Sequence, residues 1–246
     1  MGNAFDKEGI RHKRDEEVYL HEDRYDNPKE YFKLIAGSVS EYSENARSKV
    51  SLLDIGCATG EFIYYLQSVF PEFEFTGIDV SDKLLSKASI KMPNNRFRNV
   101  SIIDSPYNNL KVKYDFVTMC GVLCIFDNAE RVLRNAFELV KRGGKLYVFG
   151  AFNNYPLDVV MRYKLSHETT WRSAVNIFSE QYCENLFCKQ LGSSIQWKDF
   201  NIGFEIERVP SDFMRSWTIK TENNPFQLVN GACQLLNFRL MIVSNP

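Results

Sequence analysis

An apolar strand that runs into a glycine turn and then a helix is the feature that most constrains this chain. Residues 51–62 read Ser-Leu-Leu-Asp-Ile-Gly-Cys-Ala-Thr-Gly-Glu-Phe, and a second apolar segment follows at residues 76–80. Gly56 and Gly60 lack a Cβ, so the backbone can turn sharply and a ligand can approach it. Asp79 lies at the end of the second strand, where a carboxylate can accept hydrogen bonds from two ribose hydroxyls. The pattern predicts a nucleotide-binding crossover unit.

The spacing within this turn distinguishes between two classes of cofactor. A dinucleotide site requires G-x-G-x-x-G, with the pyrophosphate at a helix N-terminus. This chain has Gly56-Cys57-Ala58-Thr59-Gly60, which is one residue shorter and is preceded by Asp54. That pattern resembles motif I, D-x-G-x-G-x-G, of class I S-adenosyl-L-methionine (SAM) dependent methyltransferases, with Ala58 replacing the middle glycine. The resemblance implies SAM as cofactor and S-adenosyl-L-homocysteine (SAH) as product.

Further matches to the same family follow in order along the chain. Asp79 matches the ribose-binding acid of the family, and Asp104-Ser105 falls where the family contacts the adenine. Residues 114–120 resemble its fourth strand and residues 140–148 the approach to its fifth. The matches cover residues 48–150, the expected SAM-binding core. The resemblance implies these cofactor-binding residues: Asp54, Gly56, Cys57, Ala58, Gly60, Asp79, Val80, Asp104, Ser105 and Cys120.

Strands and helices alternate through this core. A helix is expected from Gly60 to Pro71, and Ser81 is expected to cap the next one. Asp127-x-x-Glu130 resembles a capping box for a further helix, for which residues 141–144 would supply the basic last turn and the glycine stop. Such alternation predicts an α/β fold with a mostly parallel sheet, seven-stranded in this family, covered by helices on both faces.

The alternation breaks after residue 150. A helix is expected from Ser179 to Leu191, a sixth strand at residues 195–202 and a terminal strand at residues 237–244. A chain that ends on an apolar strand fits the methyltransferase sheet, whose last strand inserts antiparallel, and fits a dinucleotide dehydrogenase poorly. The whole chain, residues 1–246, is therefore interpreted as one methyltransferase domain.

Three segments outside the core are expected to cover the site. Residues 1–47 form an arm and a leading helix, and residues 151–178 and 205–236 form a substrate cap, because long irregular segments inside a domain are usually functional. Short phrases at residues 171–179 and 215–220 resemble uncharacterised bacterial methyltransferases associated with surface-polysaccharide genes. The mixture of aromatic and polar residues in the cap agrees with a sugar or a sugar nucleotide as a candidate acceptor.

Composition limits the classes of partner. The chain has 246 residues and a formal net charge of -1, which offers no field for a phosphate backbone, so no nucleic-acid partner is expected. The charged N-terminus lacks the apolar core of a signal peptide, and the run from Phe116 to Phe126 is too short to cross a bilayer. The six cysteines show no zinc-ligand spacing. These features predict a cytoplasmic protein with reduced thiols, without membrane insertion and without a metal.

In a site of this kind the cofactor supplies the chemical reactivity. The sulfonium of SAM activates its methyl group, and holding an acceptor in line with it contributes on the order of 7–11 kcal/mol through proximity. A metal-independent in-line displacement on a small polar molecule is therefore the predicted reaction. A general base would add about 10²- to 10⁴-fold, and His167 is the candidate. Other residues that could grip a polar acceptor are Tyr155, Asp158, Arg162 and Arg172.

Several alternatives are weighed against this interpretation. Nucleic-acid amino methyltransferases, cytosine-C5 enzymes and metal-dependent catechol enzymes each require residues that this chain lacks: Asp/Asn-Pro-Pro-Tyr, a Pro-Cys pair, and acidic ligands after the fourth and fifth strands. A non-catalytic SAM-binding adaptor stays open. An aminopropyltransferase shares the fold, but it needs acidic groups where this chain has residues 120–123. The sequence identifies neither the acceptor, nor the attacking atom, nor the oligomeric state.

Overall fold

A computed structural model describes residues 16–43, 49–103 and 112–246. Residues 16–21 are helical. The α-helices that follow are α1 (Glu30–Ser43), α2 (Glu61–Val69), α3 (Asp82–Lys91), α4 (Ala129–Glu138) and α5 (Glu180–Glu184), which continues as a π-helix at Asn185–Gln190. The core strands are β1 (Ser51–Ile55), β2 (Glu74–Asp79), β3 (Arg96–Asn99), β4 (Tyr114–Cys120) and β5 (Val140–Asn153).

The remaining strands are shorter, apart from two that complete the main sheet. They are β6 (Arg162–Tyr163), β7 (Arg172–Ser173), β8 (Phe178–Ser179), β9 (Ser194–Asp199), β10 (Trp217–Ile219), β11 (Gln227–Val229), β12 (Leu235–Leu236) and β13 (Phe238–Ser244). The main sheet has the order β3-β2-β1-β4-β5-β13-β9, with β8 paired to β5. Because β13 is antiparallel to both β5 and β9, the predicted seven-stranded sheet with an inserted last strand is confirmed, with β8 as an addition.

Helices cover both faces of this sheet, as predicted. One face buries α1, α2 and α3 in a core that includes Ile35, Ile63 and Leu85. The opposite face buries α4 and α5, with Leu133 and Phe187 among its fully buried side chains. The strands between them are apolar on both sides, as a sheet covered on both faces requires.

The N-caps of the helices agree with the sequence in two cases and differ in one. The Ser81 hydroxyl accepts a hydrogen bond from Leu84 N, and the Ser179 hydroxyl accepts one from Tyr182 N, so both predicted N-caps are confirmed. The capping box at Asp127 is wrong, because Asn128 is the cap and its side chain accepts from Arg131 N. The side chain one residue nearer the helix satisfies the free N–H group instead.

One boundary between a helix and a strand also differs from the prediction. Residues 141–144 do not end a helix, because α4 ends at Glu138 and these residues belong to β5. The register between β4 and β5 shifts there, which is the geometry of a β-bulge.

The expected cap segments contain regular structure. Residues 217–236 hold the antiparallel sheet β10-β11-β12, so the interpretation of residues 205–236 as structureless is wrong. In the other segment, β6 and β7 pair in a short hairpin. Among the described residues, no helix is both long and apolar enough to span a membrane.

Candidate active site

The turn after β1 lies where the carboxyl ends of β1, β2 and β4 meet. The N–H groups of Gly56 and Cys57 both donate to Ile78 O, at 2.8 and 3.0 Å, which fastens the turn to β2. Gly56 has a φ of +72°, and a Cβ added there would lie 2.4 Å from Val122 Cγ2. A glycine is therefore required at this position for both backbone conformation and space.

The carboxylate of Asp79 organises this end of the sheet. Its Oδ2 accepts a hydrogen bond from Ala58 N at 2.9 Å, and its Oδ1 accepts one from Ser81 N at 3.0 Å. Each carboxylate oxygen has a further lone pair for another donor. Because Asp79 also lines a cavity, it can hold the turn and accept hydroxyl groups of a ligand at once.

That cavity, here called the narrow cavity, has a volume of about 110 Å³. Gly56, Ala58, Asp79 and Ser101 line it together with an apolar wall, which includes Val80, Leu84, Val100, Ile102, Val122 and Phe126. An apolar slot beside a hydroxyl-binding carboxylate suits a flat base attached to a ribose. Asp104 and Ser105, expected near the adenine, lie outside the described residues.

Asp54 lies in β1 and does not line the narrow cavity. Its carboxyl group is 3 % exposed and accepts a hydrogen bond from Thr118 Oγ1 at 2.7 Å. Burial is the main cause that raises the pKa of Asp54 to about 7; the hydrogen bond from Thr118 opposes this rise and the nearby charge of Asp79 adds to it. No ion pair joins this carboxyl to a cation in the part of the chain that the structure describes. A bound cation would stabilise its charged form.

Three other predicted cofactor residues have different surroundings. Gly60 begins α2 with a φ of +78°, and a Cβ there would lie 2.5 Å from Met92 Cε, so it serves packing. Cys57 is buried against Gly77, and burial holds the pKa of its thiol well above its ordinary value. Cys120 lines the narrow cavity, and burial raises its pKa as well. Neither cysteine is prepared to act as a thiolate nucleophile.

A second and wider cavity, of about 580 Å³, adjoins the narrow one, and the two share Tyr19, Cys120 and Gly121. Its wall includes a row of aromatic rings from different parts of the chain. Tyr31 stacks on Phe149 with ring centroids 4.4 Å apart, and Phe149 stacks on Phe238 at 5.5 Å. Phe200 meets Phe149 edge-on at 5.1 Å. Sequence analysis did not identify Phe149, Phe200 or Phe238 as site residues.

Charged residues from two segments meet beside the wide cavity. Glu22 Oε1 lies 2.9 Å from Arg24 Nη2 and 3.4 Å from Arg215 Nη2, and its Oε2 lies 3.2 Å from Lys29 Nζ. Burial acts to raise the pKa of Glu22, but Lys29 and Arg24 outweigh it, so the pKa lies below its ordinary value. The pair with Arg215 joins the N-terminal segment to the segment before β10.

The candidate base and the residues expected to bind a polar acceptor line neither the narrow nor the wide cavity. His167 is exposed in a turn and lines neither cavity, so this placement does not support its predicted role. Asp158 accepts a hydrogen bond from Ser179 N at 2.6 Å, Arg162 pairs with Asp127, and Arg172 pairs with Glu168. Tyr155 is 52 % exposed and also lines neither cavity.

The segment that contains these residues packs against the loop after β4, which forms part of the wall of the narrow cavity. Asn176 is buried, accepts a hydrogen bond from Met161 N and donates one to Phe126 O, at 3.0 and 2.9 Å. Phe126 is part of the wall of the narrow cavity. Residues 155–178 thus pack against the loop after β4, whereas the wide cavity is lined by residues of the N-terminal segment and of the segment from Phe200 to Ser216.

Known proteins resemble this chain both in sequence and in fold. Residues 53–146 match the family model described as a methyltransferase domain. The fold is that of the class I methyltransferases. The chain resembles a solved SAM-bound amino pentose methyltransferase of Micromonospora echinaspora, with a TM-score of 0.56 and 11 % identity, covering 95 % of this chain and 96 % of that one.

Two curated relatives match in sequence. A malonyl-[acyl-carrier protein] O-methyltransferase of Ilyobacter polytropus is 25 % identical over 130 residues, covering 53 % of this chain and 48 % of the relative. An arsenite methyltransferase of Rattus norvegicus is 27 % identical over 218 residues, covering 82 % and 53 %. The chain spans about half the length of both relatives. These similarities support the expected methyltransferase activity and SAM as its cofactor.

Proposed function

We propose that this protein transfers the methyl group of SAM to a small polar acceptor, with a sugar or a sugar nucleotide as the candidate. The observation that carries the proposal is the joint placement of Gly56, Ala58 and Asp79 around the narrow cavity, with the buried Asp54 behind them. An adenosine requires an apolar slot and an acceptor for its ribose hydroxyls, and this site provides both.

The residues present fit the charge of SAM as well as its shape. SAM carries an ammonium and a sulfonium, and Asp54 is a buried carboxyl without a cationic partner among the described residues. Burying a carboxylate is costly unless a charge compensates it. Asp79 would hold the ribose, the apolar wall would hold the adenine, and Asp54 would favour the cationic end of the molecule.

The protein's own contribution to methyl transfer is orientation and exclusion of water. The bound SAM supplies the activated methyl group. The wide cavity opens beside Cys120 and Gly121, which it shares with the narrow cavity, so an acceptor there would lie next to the cofactor. Tyr31, Phe149 and Phe200 would exclude water from one side of that acceptor. Proximity of this kind contributes on the order of 7–11 kcal/mol.

A polar acceptor agrees with the mixed walls of the wide cavity. Aromatic rings line one part of it, and Glu22, Arg24, Lys29 and Arg215 line another. A sugar nucleotide combines a flat base, charged phosphates and hydroxyl groups, which matches this combination of surfaces. Metal independence and the absence of a nucleic-acid partner remain predictions.

Calorimetry and a transfer assay test this function in two stages. SAM and SAH should bind with micromolar or tighter affinity, and NAD should not compete. Detectable binding of NAD with none of SAM would overturn the proposal. With SAM bound, methyl-labelled cofactor should label a member of a panel of sugars and sugar nucleotides. Tight SAM binding without transfer to any of them would favour the adaptor instead.

A further inference from the structure

A polar pocket lies on the other side of the aromatic wall of the wide cavity. Its volume is about 410 Å³, and it shares Phe200, Ile202, Leu228 and Phe238 with the wide cavity. Five carboxamide side chains line it, and we call it the amide pocket: Asn154, Asn201, Asn224, Gln227 and Asn237. Its volume is within the range of about 300–1,000 Å³ for small-molecule sites.

Most of the hydrogen-bonding capacity of these carboxamides is unused. Asn154, Asn201 and Asn237 are exposed, and their side chains make no hydrogen bond to a described residue. Asn224 uses only its Oδ1, which accepts from Phe226 N at 2.9 Å. Gln227 uses only its Nε2, which donates to Leu228 O and Leu236 O. The pocket therefore presents both free N–H donors and free carbonyl acceptors.

The charges of the pocket are compensated within the protein. Arg239 Nε lies 2.8 Å from Asp199 Oδ1, and the guanidinium also pairs with Glu180. An anionic ligand would therefore find no uncompensated positive charge among the described lining residues, and the one lining carboxylate, Asp199, is already paired with Arg239. A neutral ligand that carries several hydroxyl groups fits better, because a hydroxyl both donates and accepts, as a carboxamide does.

The apolar surfaces of the pocket are aromatic. Phe200, Phe226 and Phe238 contribute rings to its lining. The face of such a ring carries a partial negative charge, which suits the C–H face of a sugar ring. Hydroxyl-binding amides combined with aromatic faces therefore favour a saccharide over a charged metabolite.

We propose that the amide pocket binds a neutral sugar unit. If the proposed methyl transfer holds, this unit belongs to the acceptor and lies across Phe200 and Phe238 from the group that is methylated. The assignment of this sugar unit to the methyl acceptor rests on the proposed function, whereas binding of a sugar in the pocket does not.

Titration by NMR with defined sugars tests the pocket directly. Methyl α-glucoside, methyl α-mannoside, N-acetylglucosamine and maltose are added to the protein at up to about 50 mM, because single-ring ligands bind weakly. At least one should shift the side-chain amide signals of Asn154, Asn201 and Asn237. The variant Asn201→Ala/Asn237→Ala should weaken that binding by about tenfold, since each lost hydrogen bond accounts for roughly a factor of two to ten.

The control is Asn94→Ala, which removes an exposed carboxamide from a separate cavity near α3. It should leave sugar binding unchanged. The proposal is overturned if no sugar shifts the amide signals, if the double variant binds as well as the parent, or if triglycine shifts them and the sugars do not. The affinity for SAM, measured by calorimetry, should be the same in the parent and in every variant. Absence of SAM binding would contradict the proposed function, whereas a failed sugar titration would contradict only the proposal for the amide pocket.

Discussion

At the scale of single residues, Asp79 has an observed structural role and a proposed binding role. Its two oxygens hold the N–H groups of Ala58 and Ser81 while its carboxylate lines the narrow cavity. Asp79→Ala should weaken SAM binding at least tenfold, because a hydrogen bond to a charged group contributes about 1.5–3 kcal/mol. Calorimetry measures this, with Asp82→Ala on the neighbouring helix as the control. Unchanged SAM affinity in Asp79→Ala would place the ribose acceptor elsewhere.

A second residue-scale prediction concerns the pH dependence caused by Asp54. The pKa of Asp54 in the folded protein is about 7, whereas an unfolded Asp has a pKa of about 3.9. Between these values the folded state holds the proton and the unfolded state does not. The free energy of unfolding should therefore fall as pH rises through this range, by up to about 4 kcal/mol.

Urea unfolding at about pH 5 and about pH 8 measures that slope. The side chain at position 54 cannot ionise in Asp54→Asn, so the free energy of unfolding of this variant should not fall with pH for this reason. The free energies of unfolding of parent and variant should therefore differ most at the higher pH. Saturating SAM should reduce the loss in the parent, because a nearby cation lowers the pKa of a carboxyl group. Parallel pH profiles for parent and variant would show that Asp54 does not titrate in this range.

At the scale of elements, Gly60 joins the cofactor turn to the packing of α2. Gly60→Ala should lose more stability than Gly143→Ala, although both glycines have nearly the same φ, +78° and +79°. Both variants bear the left-handed strain of about 1–2 kcal/mol. Only at Gly60 would the Cβ also meet neighbours, Met92 Cε at 2.5 Å and Ala88 Cβ at 3.2 Å, since it meets nothing within 4 Å at Gly143. Met92 is 5 % exposed, so its flexible side chain has little room to move away. Overpacking adds about 1–3 kcal/mol. Urea unfolding measures both; equal losses would contradict the packing role.

The elements that sequence predicted well are those with strong local signals. Ser81 and Ser179 cap helices as expected, and the apolar strands of the core give the sheet and its inserted last strand. One error lies where a tertiary contact overrides the local pattern. Residues 141–144 look like a helix end, but Lys141 Nζ lies 2.8 Å from Asp115 Oδ2 across β4 and β5, and the bulge forms there. A partner so distant in sequence gives no local signal.

At the scale of the whole molecule, the glycine turn was predictable and the wide cavity was not. The turn belongs to a continuous motif, so the meeting of Gly56, Ala58 and Asp79 at one cavity could be expected from sequence alone, and their binding of SAM stays a prediction. The wide cavity is built from side chains far apart in the chain, such as Tyr31, Phe149 and Phe238. None of them belongs to a local motif. His167 is the candidate base because it lies in a segment expected to form the cap, but membership of that segment does not determine which side chains line a cavity, and His167 lines neither.

The last prediction concerns the contact between the two segments beside the wide cavity. Glu22→Gln should speed amide hydrogen exchange in residues 16–31 and 204–216, because Arg24, Lys29 and Arg215 would lose the carboxylate that they share. The Arg215 side chain is 42 % exposed, and such a pair contributes up to about 1 kcal/mol, or about a fivefold change in exchange.

Glu30→Gln is the matched control, since Glu30 pairs with Lys33 within α1 and the substitution should leave residues 204–216 unaffected. SAM affinity should change little in either variant, because neither side chain lines the narrow cavity. Unaltered exchange at residues 204–216 in Glu22→Gln would mean that this carboxylate does not hold the two segments together.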